Sequence, residues 1–286
     1  MTLYMNILTQ ICITLVAVAG IYVLTGLTGM FSLGQAAFMA VGAYASGIFV
    51  VKMGIPFPLA CTGAVILAVC IGFVVGIPTV RLRRDYISLV TLGFGEAITA
   101  LLNRTTKLTG GASGFIGIPR KTTLLIALLS ALVAVLLVNW FKNSKYGRQC
   151  IAIRGDELAA KAMGINVPKI KLTAFLLSVA LTAFSGCLYA FYITYVDPSI
   201  FGWKKSADWV IMVFFGGVNS LTGSILGATI LSGLPEVLRG LANYRSIIYA
   251  VLVLLIINFK PSGILGEYEL SDLFKKKRKV QHKEEA

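Results

Sequence analysis

"LLIALLSALVAVLLVNWF", Leu124–Phe141, decides the fold class. It carries no charge, and its polar members are Ser130 and Asn139. A helix needs about 20 mostly apolar residues to cross the hydrocarbon core of a bilayer. The run is too long for a buried strand and too apolar for a surface helix. Further apolar runs lie at 7–24, 36–51, 58–80, 170–193, 222–238 and 246–259. Two more segments are apolar but interrupted: 85–102 holds Asp85, Glu96 and two glycines, and 206–219 is short with a double glycine near its end. The expected fold is therefore an all-α polytopic membrane protein of about nine transmembrane helices, within bounds of eight and ten, some of them broken or half-spanning. A membrane barrel would show short alternating patterns instead.

Composition agrees. Hydrophobic residues make up 57% and charged residues 13%, against about 45–50% and about 25% in soluble domains. The net charge of +14 does not require nucleic acid, because membrane proteins gather Lys and Arg in cytoplasmic loops. With the tail 266–286 ("KKKRKV" at Lys275–Val280) in the cytoplasm, nine spans place the N-terminus outside. The cytoplasmic side then holds Arg81, Arg83 and Arg84, seven basic residues from Lys142 to Lys171 and seven from Lys260 to Lys283, leaving nine of 26 outside. Arg104, Lys107, Arg120 and Lys121 are among those nine. The expected division is a transmembrane domain over 1–265 and a charged cytoplasmic tail over 266–286. No basic residue precedes Ile7, so the first run reads as a retained helix rather than a signal peptide. The five cysteines are scattered without a CxxC pair, and the single histidine, His282, lies in the tail. Neither a disulfide framework nor a metal site is expected.

Polar residues break the apolar pattern at four places: "TGLTGMFSLGQAAF" (Thr25–Phe38), "VTLGFGEAIT" (Val90–Thr99), "KLTGGASGFIGIPR" (Lys107–Arg120) and "FFGGVNSLTGS" (Phe214–Ser224). Non-helical backbone at membrane depth is tolerated only inside protein or along a wet cavity, and glycine-rich breaks often mark transport paths. Ser32, Gln35, Thr91, Glu96 and Asn219 are the candidate path residues. An intramembrane acid such as Glu96 is functional by default; the competing reading for Gln35 and Glu96 is a helix cap or a bond between helices. Gly72–Gly76 and Gly223–Gly227 have small-residue spacing suited to close helix packing, whereas Gly110–Gly114 lies in a polar loop and suits a turn. The chain contains no GxxxxGK[ST] phosphate loop, no HExxH and no GxSxG. It is not expected to bind ATP by that loop or to be an enzyme, and it needs no cofactor of its own.

Between two apolar runs stands "KNSKYGRQCIAIRGDELAAKAMGINVPKIK", Lys142–Lys171. Residues 156–163 are mostly good helix formers. Asp156 and Glu157 suit a helix N-terminus; Gly164 suits the position just past the C-terminus, with Pro168 following. A short amphipathic cytoplasmic helix results, either a solvated connector or a docking piece.

"ELAAKAMGIN", Glu157–Asn166, resembles the EAA loop of bacterial ABC-importer permeases. Ala159, Ala160 and Gly164 fit its spacing, while Glu157 stands one position early. "GRQCIAIRGDELAAKAMGINVPKIKLTAF" resembles in particular the LivM type of branched-chain amino acid permease. So do "GMFSLGQAAFMAVGAYAS", "DYISLVTLGFGEAI", "LTGGASGFIGIP" and "MVFFGGVNSLTGSILGA", in family order over roughly residues 20–240. The resemblance implies a multi-pass subunit of the bacterial plasma membrane. It would be paired with a LivH-like second permease, two cytoplasmic ATPase subunits and an external substrate-binding protein. Residues 142–169 would form the cytoplasmic coupling loop, with Asp156, Glu157, Ala159, Ala160 and Gly164 as the ATPase-coupling residues, and ATP would be bound by the ATPase partners. Urea and short-amide permeases share most of these phrases. A stand-alone secondary transporter or channel would explain the broken spans but not the EAA spacing.

Overall fold

The computed structural model of the chain describes residues 2–237, 250, 251, 253, 254, 258–260 and 263–266. The expected run 246–259 lies largely outside the described residues, and the tail beyond Gly266, with His282, lies wholly outside them. Among the described residues the chain is all-α, and five helices there are long and apolar enough to cross a membrane. These are α1 (Thr2–Tyr22, extended by a π-helical turn, Val23–Thr28), α3 (Phe57–Thr79), α4 (Arg84–Arg104), α6 (Leu124–Asn143) and α9 (Val167–Ile193). Shorter apolar helices are α2 (Gln35–Val51) and α11 (Leu221–Val237), and between them in the chain α10 (Trp203–Gly216) is short with Lys204, Lys205 and Asp208 in its first half. Each of the first eight expected runs thus falls on a helix. Three short helices lie in the connections: α5 (Thr106–Thr109), α7 (Lys145–Gly155) and α8 (Glu157–Ala162). Among the described residues one strand pair occurs, antiparallel between β1 (Phe115–Ile116) and β2 (Tyr195–Val196), with Phe115 opposite Val196.

The core sits where α1, α2 and α9 meet. In α1 and α9, 72% of the most apolar window is buried, against 33% in α3, 28% in α6 and 22% in α4. The three peripheral helices present Leu and Val outward, among them Leu125, Leu132, Leu136, Val74 and Leu89. That is the pattern of a protein whose outer solvent is lipid, in which close packing rather than hydrophobic exclusion joins helices. Glycine lets two backbones approach: a Cβ on Gly186 of α9 would collide with the Met39 carbonyl oxygen of α2, and one on Gly42 with that of Ala183. Both expected packing pairs also act so. Cβ atoms on Gly72 and Gly76 would press on Val179 and Leu172 of α9, and those on Gly223 and Gly227 on the backbone of α10. Gly110 and Gly114 instead turn the chain at φ 78° and 76° before β1.

Contacts define two ends. At one, Lys52 Nζ donates to the carbonyls of Lys107 and Leu108, Tyr192 Oη donates to the Asn6 carbonyl, and β1 pairs with β2. At the other, Arg84 Nη2 donates to the Arg154 carbonyl at 2.9 Å, Tyr22 Oη donates to the Asn219 carbonyl at 3.4 Å, and Ile264 N donates to the Phe215 carbonyl at 3.0 Å.

Candidate functional site

The polar stretch 142–171 folds into more than one helix. Ser144 caps α7, its hydroxyl accepting from Gly147 N at 3.3 Å. Asp156 then caps α8: Oδ1 accepts from Leu158 N at 2.8 Å and Ala159 N at 3.1 Å, satisfying two of the orphan donors of a helix start. At the other end Gly164 has φ 81°; its N–H bonds the Lys161 carbonyl, and Ile165 N–H bonds that of Ala160. This double closure is the Schellman motif, which calls for a left-handed residue. Asn166 then caps α9, with Pro168 in its first turn.

Three polar contacts tie this α7–α8 unit to the membrane helices, one of them the bond from Arg84 of α4 to the Arg154 carbonyl. Lys171 Nζ of α9, buried to 2% exposure, lies 2.7 Å from Glu157 Oε2. Arg154 of α7 donates through Nη1 to the carbonyl of Gly26 in the π-helical turn of α1. Ala160 is buried beneath α8, and Ala159 is exposed. Leu158 and Met163, at 79% and 83% exposure, stand out as large apolar side chains on this short polar connection. Sequence reading missed both residues, although two bulky apolar residues on a helix already judged cytoplasmic were a usable signal. The buried thiol of Cys150 underneath α7 has its pKa pushed up to about 12 by burial, as expected when the charged form is desolvated.

Of the path candidates, Ser32, Gln35 and Thr91 are brought together. Gly34 precedes α2, and a Cβ there would collide with the Thr91 carbonyl oxygen. Leu33 N donates to Thr91 Oγ1 at 3.2 Å, and Gln35 Oε1 accepts from Thr182 Oγ1 of α9 at 3.2 Å. Ser206 Oγ of α10 accepts from Ala36 N at 2.9 Å. Thr182 and Ser206 therefore belong to the same polar cluster; both sit inside apolar runs, where serine and threonine give no sequence signal. Ser32 Oγ, Gln35 Nε2, Ser178 Oγ and Trp209 Nε1 are buried with no partner among the described residues. Ser178 is one turn from Thr182, and Trp209 one turn from Ser206. Glu96 and Asn219 lie apart from this cluster. Glu96 is on the exposed stripe of α4 with Gly93, Ala97 and Ala100, and Asn219 is exposed in the turn between α10 and α11.

A bundle of apolar helices broken by buried polar turns is the architecture of a multi-pass membrane protein, and the family match makes it a permease. Residues 3–257 match the family described as branched-chain amino acid transport system / permease component, and the chain belongs to that family. It is 31% identical to the high-affinity branched-chain amino acid transport permease LivM of Escherichia coli K12, over 91% of this chain and 69% of that protein. It is 27% identical to a probable LivM of Methanocaldococcus jannaschii, over 71% of this chain and 68% of that protein. It is 25% identical to the LivH permease of Salmonella typhimurium, over 65% of this chain and 61% of that protein. Among solved structures, PsaBC of Streptococcus pneumoniae in complex with Fab matches at 20% identity and a TM-score of 0.48, covering 89% of this chain and 90% of that one.

Proposed function

We propose that this chain forms half of the translocation path of an ABC importer for branched-chain, aliphatic amino acids. A homologous LivH-like permease supplies the other half, two cytoplasmic ATPase subunits bind and hydrolyse ATP, and an external binding protein delivers the substrate. The observation that carries the reading is α8: a helix capped at both ends, anchored through Glu157 and Arg154, that turns Leu158 and Met163 outward. A solvated connector has no use for two exposed bulky apolar side chains, whereas a helix seated in a partner's groove does. Residues 142–169 act as the coupling loop, with Asp156 and Gly164 shaping α8, Glu157 anchoring it, and Ala159 and Ala160 keeping its flanks narrow.

The end that carries α8 faces the cytoplasm of a bacterial plasma membrane, in keeping with Arg81, Arg83, Arg84, Lys142 and Lys145 on that side. Nine spans fit the contacts. Gly233 of α11 reaches Ile11 of α1 toward the β1–β2 end, while Ile264 and Leu265 bond Phe215 and Gly216 at the α8 end. The C-terminus then leaves on the cytoplasmic side.

Glu96 on the open stripe of α4 marks the side that faces the second permease. An acid facing lipid is costly, and Gly93, Ala97 and Ala100 around it suit close approach of another helix. Ser32, Gln35 and Thr91 line the inner part of the path and Asn219 its cytoplasmic mouth. Uptake of labelled leucine, isoleucine, valine and urea by cells carrying the whole operon tests the substrate. Leucine, isoleucine and valine uptake is expected; uptake of urea alone would assign the chain to the short-amide permeases.

A further inference from the structure

Two arginines converge on the broken end of α1. The helix widens to a π-helical turn over Val23–Thr28, every residue of it buried, and ends at Gly29 with φ 67°. π-helical turns inside α-helices collect at functional sites, and the last carbonyls of a helix lack intrahelical partners. Here Leu24 O accepts from Gly29 N and Met30 N, whereas Gly26 O accepts from Arg154 Nη1 of α7. Arg84, the first residue of α4, donates through Nη2 to the Arg154 carbonyl at 2.9 Å. Gly29 must be small because both side chains pass over it: a Cβ there would stand 2.9 Å from Arg154 Cγ and 3.3 Å from Arg84 Cζ. Gly26 must be small as well, since its Cβ would stand 2.5 Å from the Tyr22 ring and 2.8 Å from the Val218 carbonyl oxygen between α10 and α11. Arg154 thus holds the turn at the end of α1, where α7, the Arg84 side chain of α4 and the α10–α11 turn come together. It lies two residues before Asp156, the cap of α8, and Gly29 lies three residues before Ser32.

We propose that Arg154 is the positioning residue that carries movement of α8 to the broken end of α1, and through Gly29 to the path loop Ser32–Gln35, with Arg84 fixing its backbone. The inference rests on the reading of α8 as the ATPase dock. A guanidinium suits the role, because its planar donors stay charged and hold a carbonyl in one geometry. The loop it moves carries Gln35 and backs onto Thr91, so displacing the π-helical turn alters the polar cluster at the start of α2.

The test uses the complete complex, with both permeases, the ATPase subunits and the binding protein, in proteoliposomes. The readout is leucine taken up per ATP hydrolysed. Arg154→Met keeps the aliphatic stem over Gly29 and removes the donor; the complex is expected to keep its ATPase subunits and hydrolyse ATP while the ratio falls about tenfold, as loss of a charge-assisted bond predicts. Arg154→Lys restores one donor and is expected within about twofold of wild type. Arg84→Met leaves the Arg154–Gly26 bond in place and is expected to lower the ratio about threefold, keeping the test open even if Arg154→Met does not assemble. A wild-type ratio in Arg154→Met or in Arg84→Met, or an Arg154→Lys as poor as Arg154→Met, overturns the proposal. The docking reading fails separately, if a Leu158→Asp, Met163→Asp complex keeps its ATPase subunits.

Discussion

Glu157 and Lys171 are joined within the chain, Oε2 to Nζ at 2.7 Å, across the turn between α8 and α9. The acid that stands one position early against the EAA pattern is therefore engaged by its own protein. It anchors α8 to a long apolar helix, α9, whose lysine is otherwise buried.

Glu157→Gln is expected to loosen that anchor. The Lys171 charge stays buried without a carboxylate, which costs about 1–3 kcal/mol, reduced here because the Glu157 side chain is 45% exposed. Thermal unfolding of the purified complex should begin several degrees lower while ATPase subunits still co-purify. Loss of those subunits with unchanged stability would mean that Glu157 makes a contact to the partner instead.

Gly164 separates backbone conformation from bulk. Nothing lies within 4 Å of a Cβ built there, so Gly164→Ala meets only the left-handed backbone cost, about 1 kcal/mol, and should keep most uptake. Gly164→Pro removes the N–H that bonds the Lys161 carbonyl and forbids φ 81°. Uptake should be lost although the protein reaches the membrane. Equal uptake in the two variants would remove the Schellman closure from the account.

Gly186→Ala tests the core. The added methyl meets the Met39 carbonyl group and stands 3.1 Å from Ala43 N, so α2 and α9 must separate. Overpacking of this kind costs about 1–3 kcal/mol, and lower yield and melting temperature are expected. Gly93→Ala, where nothing lies within 4 Å, should leave the melting temperature of the isolated chain unchanged.

Cys150 should resist thiol reagents. With the other four cysteines replaced, maleimide labelling at pH 8 is expected to be slow in the folded chain and fast after denaturation. The linkage has a definite sign. Below the ordinary thiol pKa of 9.0 both states keep the proton; above it the unfolded chain releases its proton first, because the folded thiol is held to about 12. Stability from this site is thus full below pH 9.0 and declines as pH rises toward about 12. Rapid labelling at pH 8 in the folded chain would show that α7 does not bury this side.

The membrane helices were legible because an apolar run of about 20 residues has few alternatives. The cap residues of α8 were legible for the same local reason: Asp156, Gly164 and Pro168 act within a turn of themselves. What could not be read is long-range or aperiodic. The π-helical turn at Val23–Thr28 has no spacing of its own. Arg154 reaches Gly26 across 128 positions and Thr182 reaches Gln35 across 147. Helix α7 has no counterpart in the sequence reading, which places a helix only over 156–163, because a basic, amphipathic segment carries little hydrophobic pattern and its cap, Ser144, stands among polar neighbours. The stripe of α4 that exposes Glu96 depends on which face its neighbours cover, and no single sequence fixes that.

The docking face is the centre of the account, and Leu158→Asp with Met163→Asp tests it most directly. Both side chains are exposed, so the double variant should fold and reach the membrane with its LivH-like partner. ATP-driven leucine uptake should vanish, and the ATPase subunits should fail to co-purify. A double variant that retains its ATPase subunits and imports leucine at the wild-type rate would contradict the account.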